Sequence, residues 1–263
     1  MVNNMARGIA PATGFAPAAG RLEGISKHYG RRREGVDVLH GISAVFPRGT
    51  LTAVMGLSGS GKSTLLHLAS GLDRANSGRV WIGGEEITEM SRRQLAVLRR
   101  RKVGFVFQEL NLVPTLTVAE NIALPLRLDG RNVNSADIAR TAGQMGIADL
   151  LDRLPDQLSG GQQQRVAIAR ALITRPEIIF ADEPTAALDP YTAETVLGLL
   201  RRAVNETGQT VVVVTHDPAV AAYADSAIIL DRGRIAEVRA TPDAAGLRQV
   251  IHRLGTESQK LVS

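Results

Sequence analysis

The sequence predicts an α/β fold with a parallel sheet at its centre, and three observations carry that prediction. A glycine-rich loop, Gly56-Leu-Ser-Gly-Ser-Gly-Lys62-Ser63, lies between a short β-run, Leu51–Met55, and an apolar-periodic helix that starts near Lys62. Two later runs, Ile178-Ile-Phe-Ala181 and Val211-Val-Val-Val214, are continuously apolar rather than alternating. That is the pattern of strands covered on both faces, as in a parallel sheet. Thr117–Leu154 is helix-rich and punctuated by Pro125 and Pro155, which reads as a helical subdomain inserted at about residues 109–173.

The remaining elements follow in chain order. Residues 1–20 carry one arginine and an apolar middle interrupted by Pro11, Gly14 and Pro17, so they read as a disordered leader and not as a signal peptide. Arg21–Tyr29 and Val36–Phe46 read as two strands joined by a basic turn, Gly30-Arg-Arg-Arg-Glu-Gly35, forming an antiparallel β subdomain on the N-terminal side. Ser91–Lys102 is a basic amphipathic helix with Leu95 and Leu98 on one face and arginines flanking them, expected to present a solvated surface. Ala227–Ala236 reads as a hairpin turning at Arg232-Gly233, which closes a main domain over residues 21–240 and leaves 241–263 as a peripheral tail.

Composition narrows the function classes. The chain has 263 residues, 44% of them apolar, enough to bury a sizeable core. The absence of cysteine excludes a disulfide framework, a thiolate metal site and a cysteine nucleophile. No stretch approaches the roughly 18 uninterrupted apolar residues of a membrane span, so the chain is not expected to cross a bilayer itself. Basic residues outnumber acidic ones 31 to 26, but only Lys27, Lys62, Lys102 and Lys260 are lysines, a chain-wide arginine preference rather than a polyanion site. One Trp, three Tyr and five Phe leave little for base stacking, and no nucleic-acid partner is expected.

The glycine-rich loop fits G-x-x-x-x-G-K-[ST]. Its glycines allow successive backbone N–H groups to turn inward on phosphate oxygens, and the following helix adds the positive end of its dipole. Lys62 would reach the β- and γ-phosphates, and the Ser63 hydroxyl would ligate Mg²⁺. Asp182 and Glu183 end a buried strand, where α/β sheets bind their ligands. Asp182 would hold Mg²⁺, and Glu183 on the other side of the strand would accept a proton from an attacking water. His216 ends the third strand.

Leu158-Ser-Gly-Gly-Gln162, followed by Gln-Gln-Arg-Val-Ala-Ile-Ala-Arg-Ala-Leu172, resembles the signature segment of the ATP-binding subunits of ABC transporters. Serine and two glycines at the mouth of a helix suggest an anion site built by the same physics as the phosphate loop. The resemblance, in order over roughly residues 21–240, implies a P-loop NTPase core and a homodimer around two ATP molecules. Gly56, Leu57, Ser58, Gly59, Ser60, Gly61, Lys62, Ser63 and Thr64 would hold ATP in one subunit, and Ser159, Gly160, Gly161 and Gln162 of the other would close over it. Gln108 resembles the glutamine that contacts Mg²⁺ and the attacking water, and Tyr29 the aromatic that stacks on adenine. Asp189, in Ala187-Leu188-Asp189, resembles the loop by which each subunit senses the other, and His216 the histidine that contacts the γ-phosphate.

Gly71-Leu-Asp-Arg-Ala-Asn-Ser-Gly78, Gly104-Phe-Val-Phe-Gln-Glu-Leu-Asn-Leu-Val-Pro114 and Thr117-Val-Ala-Glu-Asn-Ile-Ala-Leu-Pro-Leu126 are similar to the lipoprotein-release, macrolide-export and cell-division branch. Pro184-Thr-Ala-Ala-Leu-Asp189, the Arg31–Arg33 insertion and the long leader depart from that branch. The resemblance implies an integral-membrane permease partner, contacted through the insertion near Gln108–Leu128, and a place at the cytoplasmic face of the cell membrane. Two other roles share the same motifs. One is control of an extracytoplasmic cell-wall enzyme through the permease. The other is a DNA-repair or translation ATPase, whose usual coiled coils, zinc modules or second fused ATPase domain are missing from this sequence.

Overall fold

The computed structural model describes residues 18–30 and 35–260. Ten strands form two sheets among these residues. The first is antiparallel, in the order β2-β1-β4-β5, from β1 (Ala18–Tyr29), β2 (Val36–Pro47), β4 (Ser77–Ile82) and β5 (Glu85–Glu86). The second holds β3 (Leu51–Gly56), β6 (Val103–Val106), β7 (Ile178–Asp182), β8 (Val211–Val214), β9 (Ser226–Asp231) and β10 (Arg234–Ala240), in the order β10-β9-β3-β8-β7-β6. Its five inner pairings comprise four parallel ladders and the antiparallel β9–β10 hairpin.

Every residue of β3 and β8 is buried, which explains the unbroken apolar sequence of β8 and the single polar residue, Thr52, in β3. Alternate residues serve two separate cores. Leu51, Ala53, Met55, Val211, Val213, Ile179 and Ala181 face one, with the inserted helices; Val54, Val212, Val214, Ile178 and Phe180 face the other, with the antiparallel sheet. The helices are α1 (Lys62–Ala69), α2 (Arg92–Lys102), α3 (Val118–Leu128), α4 (Ser135–Gln144), α5 (Gly160–Leu172), α6 (Pro190–Thr207), α7 (Pro218–Ala221) and α8 (Ala244–Lys260). Parallel register aligns Val106 with Ala181, and both Asp182 and Val54 with Val214, so the carboxyl ends of β3, β6, β7 and β8 emerge along one edge.

Several expectations need correction. Ala18, Ala19 and Gly20, placed in the leader, are the first residues of β1, where Ala19 is fully buried and Gly20 pairs with Phe46 and Ile82. Residues 1–17 and the Arg31–Arg33 insertion lie outside the described residues. Pro125 does not end a helix: α3 runs through it to Leu128. Burial of Val118, Ile122, Ala123 and Leu126 holds α3 in place despite the backbone donor that proline lacks. The segment 241–263, read as a peripheral tail, contains α8, which buries Leu247, Val250 and Leu254 in the main core. The basic face of α2 is also more than a solvated surface. Arg99 donates to the Gly71 carbonyl at 2.6 Å, Arg101 pairs with Asp129 at 3.0 Å and Lys102 with Glu85 at 2.7 Å, tying the helix to its neighbours.

Candidate functional site

The loop from Gly56 to Gly61 connects the carboxyl end of β3 to α1. Gly61, the N-cap of α1, has φ of 101°, and no side chain caps the helix. A Cβ there would lie 2.7 Å from Leu39 Cδ2, so the turn requires glycine. Nothing lies within 4 Å of the Cβ position of Gly59, and the Ser60 hydroxyl is buried without a hydrogen-bond partner among the described residues. The start of α1 thus combines unsatisfied backbone donors, an orphan hydroxyl and open space, which fits a phosphate group. Lys62 Nζ donates to the Gly56 and Leu57 carbonyls at 2.9 and 3.0 Å, folding its side chain over the loop. Burial pulls its pKa below the ordinary lysine value, while Glu183 and Asp182 act in the opposite direction.

Asp182 and Glu183 stand at the end of β7, close enough to Lys62 to influence its charge. Burial, then the Glu183 charge, raises the Asp182 carboxyl above its usual range; His67 and Lys62 partly offset this. Glu183 has φ of 45°, a strained value for a side-chain-bearing residue. Its Oε1 accepts from the His216 backbone N–H at 3.1 Å and lies 2.7 Å from His216 Nδ1, while its Oε2 accepts from the Thr215 hydroxyl at 3.3 Å. The carboxylate is therefore oriented by groups at the end of β8. Gln108 is exposed just beyond β6, whose register places Val106 opposite the residue before Asp182. Ser63 is exposed at the first turn of α1 and Thr64 half-buried beside it.

Tyr29, 41% exposed at the end of β1, donates its hydroxyl to Asp73 at 2.8 Å, and Lys27 Nζ sits 4.6 Å from its ring centroid. Burial and the hydrogen bond to Asp73 raise its pKa, and the Thr64 hydroxyl draws it the other way, which places the ring beside the phosphate loop. Asp73 and Lys27, themselves paired at 2.8 Å, hold Tyr29 in a way that sequence spacing does not show, because Asp73 lies on a stretch of chain separate from the strand that carries Lys27 and Tyr29.

Ser159, Gly160, Gly161 and Gln162 open α5, but not in the same way as the phosphate loop opens α1. The Gln162 N–H donates to Ser159 Oγ at 3.3 Å and the Ser159 N–H to Gln162 Oε1 at 2.9 Å, a capping box that satisfies two donors within the chain. A Cβ on Gly161 would lie 2.3 Å from Thr192 Cγ2, so glycine lets α5 approach the start of α6. There Asp189 accepts from the Thr192 N–H at 3.0 Å. Among the described residues no hydrogen bond or ion pair links 159–162 or Asp189 to residues 56–64. The sequence-predicted residues therefore fall into two groups, one around the phosphate loop and one around the signature helix.

An apolar groove of about 460 Å³ separates α2 and β6 from α3, lined by Phe105, Phe107, Leu124, Pro125 and Leu128 among others. No helix among the described residues is long and apolar enough to cross a membrane, and they contain no cluster of three or more His, Cys, Asp or Glu able to hold a metal.

A parallel sheet whose first strand feeds a glycine-rich phosphate loop and an uncapped helix defines a P-loop nucleotide-binding protein. Residues 39–186 match the family model for the ABC transporter. The chain belongs to that family, as an ATP-binding cassette. It is similar to the methionine import ATP-binding protein MetN of Bradyrhizobium diazoefficiens, 44% identical over 222 residues, covering 82% of this chain and 64% of that protein. It is also similar to the macrolide export ATP-binding/permease protein MacB of Syntrophobacter fumaroxidans, 47% identical over 204 residues, covering 76% of this chain and 28% of that protein. The chain thus spans less than two thirds of either relative. The dimeric structure of the ATP-binding cassette MJ0796 in a post-hydrolysis state, bound to ADP and Pi, matches with a TM-score of 0.77 and 38% identity, covering 84% of this chain and 98% of that one.

Proposed function

We propose that the chain is the ATP-hydrolysing subunit of a transport complex, working as a homodimer around two ATP molecules and driving a separate membrane permease from the cytoplasmic face. One observation carries this reading: the two motif groups of one chain do not meet, so a site complete in both requires a second copy. Gly56, Leu57, Ser58, Gly59, Ser60, Gly61, Lys62, Ser63 and Thr64 would cradle the phosphates, with Tyr29 against adenine. Ser159, Gly160, Gly161 and Gln162 of the second copy would face them, with Asp189 at the seam.

Ser63, Asp182 and Gln108 supply only oxygen donors, the set that suits Mg²⁺ shared with substrate phosphates rather than caged by protein alone. The half-buried carboxyl of Asp182, raised by desolvation and by the Glu183 charge, fits that assignment. Mg²⁺ held there would neutralise phosphate charge during transfer. Glu183, aimed by Thr215 and His216, would take the proton of the attacking water, and His216 would contact the γ-phosphate.

The groove beside α3 supports a permease contact at the insertion, because its apolar lining includes Leu128, 59% exposed. MacB joins its cassette to a permease by name, which supports a permease partner for this chain. Glu183→Gln tests the assignment of the base. Hydrolysis should fall about 10²–10⁴-fold while ATP binding survives and an ATP-bound dimer accumulates in light scattering. Unchanged turnover, or a variant that stays monomeric with ATP, would overturn it.

A further inference from the structure

The segment that follows Gln108 turns on itself, the Leu110 N–H donating to the Phe107 carbonyl at 3.1 Å and the Asn111 N–H to the Glu109 carbonyl, and a single side chain ties this turn to the signature helix. Leu110 and Asn111 both have left-handed backbones, with φ of 58° and 49°, in a region that residues with a Cβ seldom occupy. Arg170, on the last turns of α5, donates from Nη2 to the Leu110 carbonyl and from Nη1 to the Asn111 carbonyl, each at 2.6 Å. A planar guanidinium can grip two successive carbonyls in this way, and a lysine ammonium cannot reproduce the fork. Arg170 is half-buried, and that burial lowers its pKa, so its hydrogen bonds to the segment are less screened than in open water.

The far end of the segment is fixed independently. The Val113 N–H donates to the buried Asn121 Oδ1 at 2.8 Å, and Asn121 Nδ2 returns to the Val113 and Leu116 carbonyls at 3.1 and 2.9 Å. Asn121 belongs to α3, which packs on α5. Between Gln108 and that anchor, the Arg170 clamp is the side-chain hydrogen bond from the helical insertion nearest to Gln108 among the described residues.

We infer that Arg170 is a positioning residue: its fork on the Leu110 and Asn111 carbonyls transmits the position of the signature helix to Gln108, two residues upstream. A shift of α5, as when a second copy engages its N-terminus, would be passed along the helix to the clamp and so to Gln108 at the nucleotide site. This rests on the role proposed for Gln108, and the tests below separate the two.

Hydrogen exchange on the full chain reads the clamp directly. In Arg170→Met, amides of residues 108–112 should exchange at least tenfold faster while those of β7 and β8 keep wild-type protection; unchanged exchange at 108–112 overturns the clamp. A double-mutant cycle reads its function. Arg170→Met should lower kcat for ATP by at least tenfold with ATP affinity unchanged, and Arg170→Lys should recover part of the loss. Combined with Gln108→Ala, it should add nothing to the loss caused by Gln108→Ala alone. Additive losses would show that Arg170 does not act through Gln108. If Gln108→Ala by itself leaves turnover intact, the role of Gln108 fails, whereas accelerated exchange at 108–112 would still establish the clamp. Should Arg170→Met fail to fold, Arg170→Lys carries both measurements, and protection at 108–112 equal to wild type in it overturns the inference.

Discussion

The start of α1 and the start of α5 use the same small vocabulary, serine and glycine before a helix, yet the chain treats their backbone donors differently. At α1 the N-cap is a left-handed glycine without a side-chain cap, and the adjacent Ser60 hydroxyl is buried and unpartnered. At α5, Ser159 and Gln162 form a reciprocal capping box, and the helix end is satisfied in part by its own side chains. An anion can therefore be received at α1 by the single chain. At α5 the donors that remain, those of Gly160 and Gly161, belong to an end already stabilised for folding. One end is organised for a ligand, and the other is presented as a finished surface.

The largest test of that contrast is nucleotide binding by the isolated chain. Lys62→Ala removes the charged donor over the α1 loop and should weaken ATP binding by about 1.5–3 kcal/mol, the range of a hydrogen bond to a charged group. Ser159→Ala should leave ATP affinity of the monomer unchanged in calorimetry and lower turnover only where dimers form. Equal losses of monomer affinity in both variants would erase the distinction.

A smaller test uses folding stability, where the two serines should differ in sign. Ser159→Ala removes a helix cap and should cost about 1 kcal/mol in urea unfolding. Ser60→Ala removes a buried hydroxyl that has no partner among the described residues and should leave stability equal or slightly higher. A destabilised Ser60→Ala protein would mean that its hydroxyl is satisfied in the free chain and that α1 is not open in the sense argued.

How far these differences could be read in advance depends on where their causes lie. The strands β7 and β8 are legible because burial on both faces demands a run of apolar residues, Ile178–Ala181 and Val211–Val214, and β3 because it runs straight into the glycine-rich loop. β6 is not, since four residues abut α2 with no turn between them. In α8, Leu247, Val250 and Leu254 keep a helical interval, but polar residues around them hide how deeply they pack. The phosphate loop is legible because glycine and lysine spacing is itself the geometry of the site. The capping box at α5 follows the familiar serine-to-glutamine spacing, yet the same letters fit an anion site, so the spacing does not by itself reveal that Ser159 and Gln162 bond each other. The Arg170 fork could not be read at all, because helical spacing does not say which distant carbonyl a long side chain will reach.

The smallest predicted effect is a pH dependence of opposite sign in the two groups. Burial, followed by the Glu183 charge, raises Asp182, so the folded chain holds that proton more tightly than the unfolded chain does. Its contribution to stability therefore falls as pH rises from the ordinary aspartate value through the raised one, and the deficit is fully present at neutral pH. Asp189 is drawn down chiefly by its hydrogen bonds from Thr192, so its contribution is present above the ordinary aspartate value and is lost as pH falls through the lowered one. Asp182→Asn should accordingly gain stability relative to wild type as pH rises from 4 to 7, while losing Mg²⁺-dependent turnover. Asp189→Asn, which can still cap α6, should lose a little over the same interval. Thermal melts across that range decide the matter. If Asp182→Asn is less stable than wild type at neutral pH, then the ionised carboxylate is already compensated within the single chain, and the nucleotide half of the site is not held ready for a cation.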